Sequence, residues 1–265
     1  MRYPVFIVGV PRSGTSLLSA ILNAHSQLAI SPETHYFTRC WEGPVQDADH
    51  ARELVDCLFE QPGVGDMELS AEERRSIRST VEDRSELTHR TIVEALLDVY
   101  RGRENKPCWG EKTPDHWAYV REILDVFPEA VFVSIVRDPR DVSLSLRKVP
   151  WNRRQTVIDH ARSWRNYARR SAEYLADDAV PFHEIRYEDL LTDSEAVIRA
   201  VLLFLNAPYE PQLSEFYRAE STNVDTAREP WKSKTNRPID PSNRNNWVRE
   251  MPPVEQKIVE SICAS

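Results

Sequence analysis

The stretch Val5-Phe-Ile-Val-Gly9-Val-Pro-Arg-Ser-Gly14-Thr15-Ser16 decides how the chain is read. Residues 3–10 are nearly continuous apolar, β-branched and aromatic, which fits a strand buried on both faces, as in a parallel sheet. A Gly/Pro break follows, and Leu17, Leu18, Ile21 and Leu22 then recur at helical spacing through Ala24. A strand, a glycine-bounded loop and a helix start aim successive backbone N–H groups at one point, where the helix dipole also attracts an anion. Gly14 permits close backbone approach, Ser13 lies beside it in the loop, and Thr15 and Ser16 add hydroxyl donors. In a nucleotide triphosphatase the residue after the second glycine is a lysine that reaches the β/γ-phosphates. Here it is Thr15, and the positive charge sits inside the loop at Arg12. The loop suits a phosphate but lacks the lysine of γ-phosphate chemistry.

A second strand-to-helix junction repeats the pattern. Residues 129–136 hold the run Ala-Val-Phe-Val-Ser-Ile-Val, and Arg137-Asp-Pro-Arg140 breaks it before a helix through about Arg147. Arg137 stands at the strand's carboxyl end and Ser145 two helical turns on, so a guanidinium and a hydroxyl are available for a second phosphate. The plainer reading is a surface arginine paired with Asp138 or Asp141. Shorter strands are expected at 27–30 and 180–186, and helices at 116–126, 156–176 and 194–205. Tyr187-Glu-Asp-Leu-Leu191 opens a helical region at a third strand end. Strand–helix alternation predicts an α/β fold: a central parallel sheet of about five strands flanked by helices, with ligands at the strands' carboxyl ends.

The whole chain, 265 residues with 41% hydrophobic content, suffices for a single domain with a real core. The longest apolar runs, 5–10 and 130–136, are too short to cross a bilayer, and no charged-then-apolar leader is visible. Four widely spaced cysteines (Cys40, Cys57, Cys108, Cys263) form no CxxC pair, so reduced thiols in a cytoplasm are expected. The net charge of −8 is uneven. Eleven acids against Arg39 and Arg52 give residues 33–73 a charge of −9 and leave the remainder near +1, which argues against nucleic-acid binding but allows a local anion site. Residues 33–103 read as helical and polar with a loop at 61–65, and residues 221–249, rich in Asn, Pro and Arg, show no period.

The Pro11–Ser16 loop, the Arg137/Ser145 pair and Tyr187, in that order at strand ends, resemble the sulfotransferase family that uses 3′-phosphoadenosine 5′-phosphosulfate (PAPS) and releases 3′-phosphoadenosine 5′-phosphate (PAP). The likeness runs from Tyr3 to about Leu205, and more loosely over 236–253. It implies that Arg12, Ser13, Gly14, Thr15 and Ser16 hold the 5′-phosphosulfate, that Arg137 and Ser145 clamp the 3′-phosphate, and that Tyr187 meets the adenine region. A donor with two separated phosphates needs two anion sites and no metal, and no carboxylate or histidine cluster suited to a metal is evident. Lys112, in Gly110-Glu-Lys-Thr-Pro114, is similar to the family's catalytic lysine, which neutralises the leaving group. Glu33, in Ser31-Pro-Glu-Thr-His35, matches the glutamate base of protein-tyrosine and carbohydrate members; His35 and His116 are competing bases. Arg237, before Pro238, is the best match to the family loop that covers the nucleotide, with Lys232 and Lys234 as alternatives.

The resemblance implies sulfuryl transfer to a hydroxyl or amine of a small molecule, lipid, polyketide or carbohydrate. The protein-tyrosine members are anchored secretory-pathway proteins with a disulfide near the base, whereas this chain shows no anchor and no cysteine on the strand side of Glu33. An acidic insertion at about 42–103 departs from the family pattern. A diverged phosphate-loop kinase, or a nucleotide-binding protein without catalysis, is the competing reading.

Overall fold

The computed structural model describes residues 3–219 and 235–264. Five parallel strands form one sheet in the order β2-β3-β1-β4-β5. They are β1 (Val5–Val8), β2 (Leu28–Ser31), β3 (Cys108–Lys112), β4 (Val131–Val136) and β5 (Phe182–Arg186). The expected α/β architecture is therefore present, with the strands generally shorter than their apolar runs. β1 lies at the centre: Val5 stands opposite Gly110 on one side and Val131 on the other. All four residues of β1 are fully buried, and such side chains contribute roughly 1.5–3 kcal/mol each when withdrawn from water.

The period of two sorts them. Phe6 and Val8 point into one core with Phe132, Phe182 and Trp109, and Val5 and Ile7 point into the other with Leu18, Leu22, Val133 and Ile135. α1 (Thr15–Asn23) covers the second face. Helices α2 (Ala48–Phe59), α3 (Pro62–Asp66), α4 (Ala71–Glu82) and α5 (His89–Arg103) span the acidic stretch. The expected loop at 61–65 is largely α3, opened by Pro62 at its first turn. This stretch is part of the first core: Leu54, Val55, Leu58, Ile77, Ile92 and Leu96 face inward while most of its acids face water. Ser70 and Glu73 cap α4 reciprocally.

After β3 come a 3-10 turn at Pro114–Tyr119, α6 (Val120–Val126), and then α7 (Pro139–Leu146) following β4. α8 (Val157–Leu175), α9 (Tyr187–Thr192), α10 (Ser194–Phe204), the short α11 (Trp247–Glu250) and α12 (Pro253–Cys263) follow among the described residues. α12 has no counterpart in the sequence reading; its Val259 closes a small core with Leu144, Ala161 and Met251.

One expectation is corrected. Cys40 and Cys57 are joined in a disulfide with Cα atoms 5.8 Å apart, so the cysteines are not all reduced; Cys108 and Cys263 are not in a disulfide. The bond ties the π-helical turn Tyr36–Cys40, just after Glu33, to α2. No helix among the described residues is long and apolar enough to cross a membrane.

Candidate functional site

The carboxyl ends of β1 and β4 open into a cleft of about 650 Å³, within the range of small-ligand sites. Arg12, Gly14, Thr15 and Ser16 line one wall, and Arg137, Ser145 and Tyr187 another. The loop between β1 and α1 is held by local bonds. The Gly9 amide donates to the Pro114 carbonyl (3.1 Å) and the Ser13 amide to that of Val10 (3.1 Å). Gly14 has φ +105°, and a Cβ there would lie 2.4 Å from the Tyr187 ring; only glycine meets both demands. Arg12 adopts φ +75°, a backbone state unusual for a side-chain-bearing residue, and sends its Nε to Ser145 Oγ at 3.1 Å. The two anion loci read from sequence are thus bridged by Arg12 within one cleft.

Ser13 is fully buried, and its Oγ has no hydrogen-bond partner among the described residues. The Nε of Arg137 is also buried with no hydrogen-bond partner among the described residues, although the rest of the guanidinium is well held. Its Nη2 reaches Asp141 at 3.3 Å and the Asn243 carbonyl at 3.3 Å, and its guanidinium lies 4.4 Å from the centre of the Tyr187 ring. Asp141 also accepts from the Trp247 amide at 2.9 Å, which docks the C-terminal segment on α7. Asn243 Nδ2 donates to the Tyr187 hydroxyl at 2.8 Å. Burial pushes that hydroxyl above its ordinary range, against the opposing pull of Arg137. The first-turn amides of α1 have no acceptor within the helix, and buried donors left open in this way suit an anion.

Glu33 and Lys112 are not among the residues lining this cleft. They meet each other at the ends of the neighbouring strands β2 and β3, where the Lys112 ammonium pairs with Glu33 Oε1. Lys112 is buried and Glu33 is partly exposed. His35 Nε2 lies 3.4 Å from Glu33 Oε2. His116 is fully buried, with Nδ1 2.9 Å from Glu111 Oε2. Burial alone would raise the Glu111 carboxyl, but His116, Thr113 and Thr34 together hold it below the usual carboxylate range. Arg237 is exposed and does not line the cleft; Lys232 and Lys234 fall outside the described residues.

Sequence reasoning missed Asn243 and gave Asp141 only a surface role. Asp141 was legible as the carboxylate four residues after Arg137, in the first turn of the helix that follows it. Asn243 sits in the run Pro241-Ser-Asn-Arg-Asn-Asn246, where no spacing separates it from its neighbours. Among the described residues no group of three or more His, Cys, Asp or Glu is arranged to hold a metal ion.

The comparisons agree with this architecture. The model of the Sulfotransferase family matches residues 4–211. Protein-tyrosine sulfotransferase 1 of Danio rerio is 26% identical over 213 residues, covering 77% of this chain and 53% of its own length, so the chain spans about half of that relative. The sulfotransferase domain from the curacin biosynthetic pathway superposes with a TM-score of 0.70 at 20% identity, covering 100% of this chain and 99% of that one. Mouse sulfotransferase SULT7A1, crystallised with PAP, gives a TM-score of 0.52 at 13% identity, covering 99% of this chain and 83% of its own. These two structural likenesses speak to the fold, and the family match extends over most of the sequence. The chain belongs to the sulfotransferase family.

Proposed function

We propose that the chain transfers a sulfuryl group from PAPS to a hydroxyl or amine acceptor, a small molecule, lipid, polyketide or carbohydrate. One observation carries the donor: a single cleft gathers the α1 N-terminus, the orphaned Ser13 hydroxyl, Arg12, and the Arg137–Ser145 corner. Two phosphates on one nucleotide need two groups of donors, and the α1 end and the Arg137–Ser145 corner of this cleft support that assignment. Arg12, Ser13, Gly14, Thr15 and Ser16 would hold the 5′-phosphosulfate, Arg137 and Ser145 the 3′-phosphate, and Tyr187 the base. Arg237 keeps its proposed place in a covering loop only if that segment approaches the nucleotide on binding.

Glu33 and Lys112 would then perform the transfer. The acceptor O–H or N–H loses its proton to Glu33 while its heteroatom bonds to sulfur. The bond from sulfur to the bridging phosphate oxygen breaks, and its electron pair leaves with PAP. Lys112 offsets the charge that grows on that oxygen. Their ion pair supports these roles, since it keeps an acceptor of protons and a cation side by side at the sheet's carboxyl edge. His116 is a poorer base on these grounds: it is buried and bonded to Glu111. His35 stands beside Glu33 and remains the nearest competitor.

The test is titration calorimetry with PAP, AMP, ATP and GTP, followed by turnover of labelled PAPS. Selective PAP binding with turnover supports the reading. PAP binding without turnover for any acceptor favours a nucleotide-binding protein, and preference for ATP with phosphoryl transfer favours the kinase reading.

A further inference from the structure

Glu111 carries a buried carboxylate, 1% exposed, that the proposed chemistry does not use. Both of its oxygens are engaged. Oε1 accepts from the Thr34 amide at 3.0 Å, the Thr34 hydroxyl at 3.0 Å and the Thr113 hydroxyl at 2.5 Å; Oε2 accepts from His116 Nδ1 at 2.9 Å. His116 has no second partner: its Nε2 is buried without a hydrogen bond among the described residues, with the Phe37 ring centre 5.4 Å and the Phe6 ring centre 6.4 Å away.

The position of this carboxylate follows from where the sheet stops. Ser31 is the last β2 residue in register, opposite Glu111 of β3. Pro32 comes next and has no N–H to continue a ladder. Beyond it, side chains replace backbone pairing, and three consecutive residues each find one of three. Glu33 meets Lys112, Thr34 meets Glu111, and the His35 amide donates to Thr113 Oγ1 at 3.1 Å. The backbone on the far side of Glu33 is therefore anchored by Glu111, and the ammonium that Glu33 meets belongs to the residue after Glu111.

We propose that Glu111 is a positioning residue: by holding the Thr34 amide and hydroxyl on one oxygen, it fixes the Glu33 carboxylate against the Lys112 ammonium. Its catalytic consequence rests on the proposed roles of Glu33 and Lys112, but the positioning itself does not. What matters in this role is an acceptor at Oε1. Glu111→Gln, whose amide oxygen takes that place, should preserve it, and Glu111→Ala should abolish it.

The experiment reads Lys112 directly, by acetylation with N-hydroxysuccinimidyl acetate and peptide mass spectrometry. Lys106 serves as the internal control. Its ammonium bonds the carbonyls of Asn23 and Leu28, at the opposite end of the same strand pair. In Glu111→Ala, Lys112 should react about tenfold faster while Lys106 is unchanged, and Glu111→Gln should stay within about twofold of the parent. In a Glu33→Gln background, already without the ion pair, Glu111→Ala should add little. An unchanged Lys112 rate in Glu111→Ala, or equal acceleration of Lys106, overturns the proposal. If Glu111→Ala does not fold, Thr34→Ala removes the hydroxyl donor alone and should accelerate Lys112 about threefold; no change there also overturns it. Turnover of labelled PAPS across hydroxyl and amine acceptors is measured in parallel. Accelerated labelling in an enzyme that never turns over PAPS leaves the positioning intact and rejects the sulfuryl-transfer reading.

Discussion

Gly63 lies directly against the backbone of Glu33: a Cβ at Gly63 would fall 2.2 Å from the Glu33 carbonyl oxygen and 2.8 Å from its amide nitrogen. No side chain fits there without moving α3 or the segment that carries the proposed base. Gly63→Ala should cost about 1–3 kcal/mol of stability, as overpacking does, and lower turnover with little effect on PAP affinity. Gly65→Ala, two residues on in open space, should be neutral or stabilising by up to about 1 kcal/mol. Thermal melts and PAPS turnover of the two variants check the contrast; equal behaviour would show that the contact carries no constraint.

Loss of the Arg137 guanidinium should erase discrimination between PAP and AMP. A charge-assisted hydrogen bond contributes about 1.5–3 kcal/mol, so the parent protein should prefer PAP by roughly ten- to a hundredfold. Calorimetry on Arg137→Ala should find similar affinities for the two nucleotides. A parent protein that binds both equally would remove Arg137 from the 3′-phosphate site.

Glu33→Gln keeps the size of the side chain and removes its ability to take a proton. Turnover should fall by roughly 10²–10⁴ with PAP affinity nearly unchanged. Near-parental turnover would transfer the base to His35, its 3.4 Å neighbour.

Two buried histidines should make stability fall on the acid side of neutrality. Desolvation holds His89 and His160 below the ordinary 6.5, so the unfolded chain binds protons more readily than the folded one. Their contribution is complete above about pH 6.5 and is lost as pH falls through the folded values. For His160 the bonding explains the cost of protonation. Nδ1 faces Ser143 Oγ at 2.9 Å and Nε2 faces the Asn152 amide nitrogen at 2.6 Å, which also donates to the Leu146 carbonyl. A protonated Nε2 would confront a donor. Urea unfolding of His160→Asn between pH 5 and 7 should show a shallower dependence of stability on pH than the parent; an identical dependence would assign the effect elsewhere.

The Cys40–Cys57 cross-link spans 17 residues of sequence, and closing a loop of that size stabilises by about 3 kcal/mol. A Cys40→Ser/Cys57→Ser variant should melt roughly 6–12 °C lower. A melting point unaffected by the double substitution would show that packing around α2 suffices without the bond.

The fold was largely legible because apolar runs at 3–10 and 129–136 leave few alternatives to buried parallel strands. Sites read from those runs, Arg12 through Ser16 and Arg137 with Ser145, come together because each lies where its strand must end. The disulfide was not legible: Cys40 and Cys57 become neighbours only once a π-helical turn and α2 pack together, and 17 residues of separation do not encode that. The facing of Glu33, Thr34 and His35 with Lys112, Glu111 and Thr113 was likewise hidden, because it depends on the β2–β3 register. α12 escaped notice because its apolar face is narrow and amounts to little more than Val259 at its buried centre.

The central position of β1 has a consequence for how the chain reaches this state. Its neighbours β3 and β4 are both encoded much later, so a strand of four fully buried residues is made before either and has neither edge paired while α2 to α5 and β3 emerge. Such long-range parallel pairing slows folding and leaves bare strand edges open to association with other chains. Helices α2, α4 and α5 contact one another locally, while α5 also packs on β2 and β3 and so completes its burial only when the sheet forms. The cleft that draws its walls from the ends of β1 and β4 is then among the last features to be assembled.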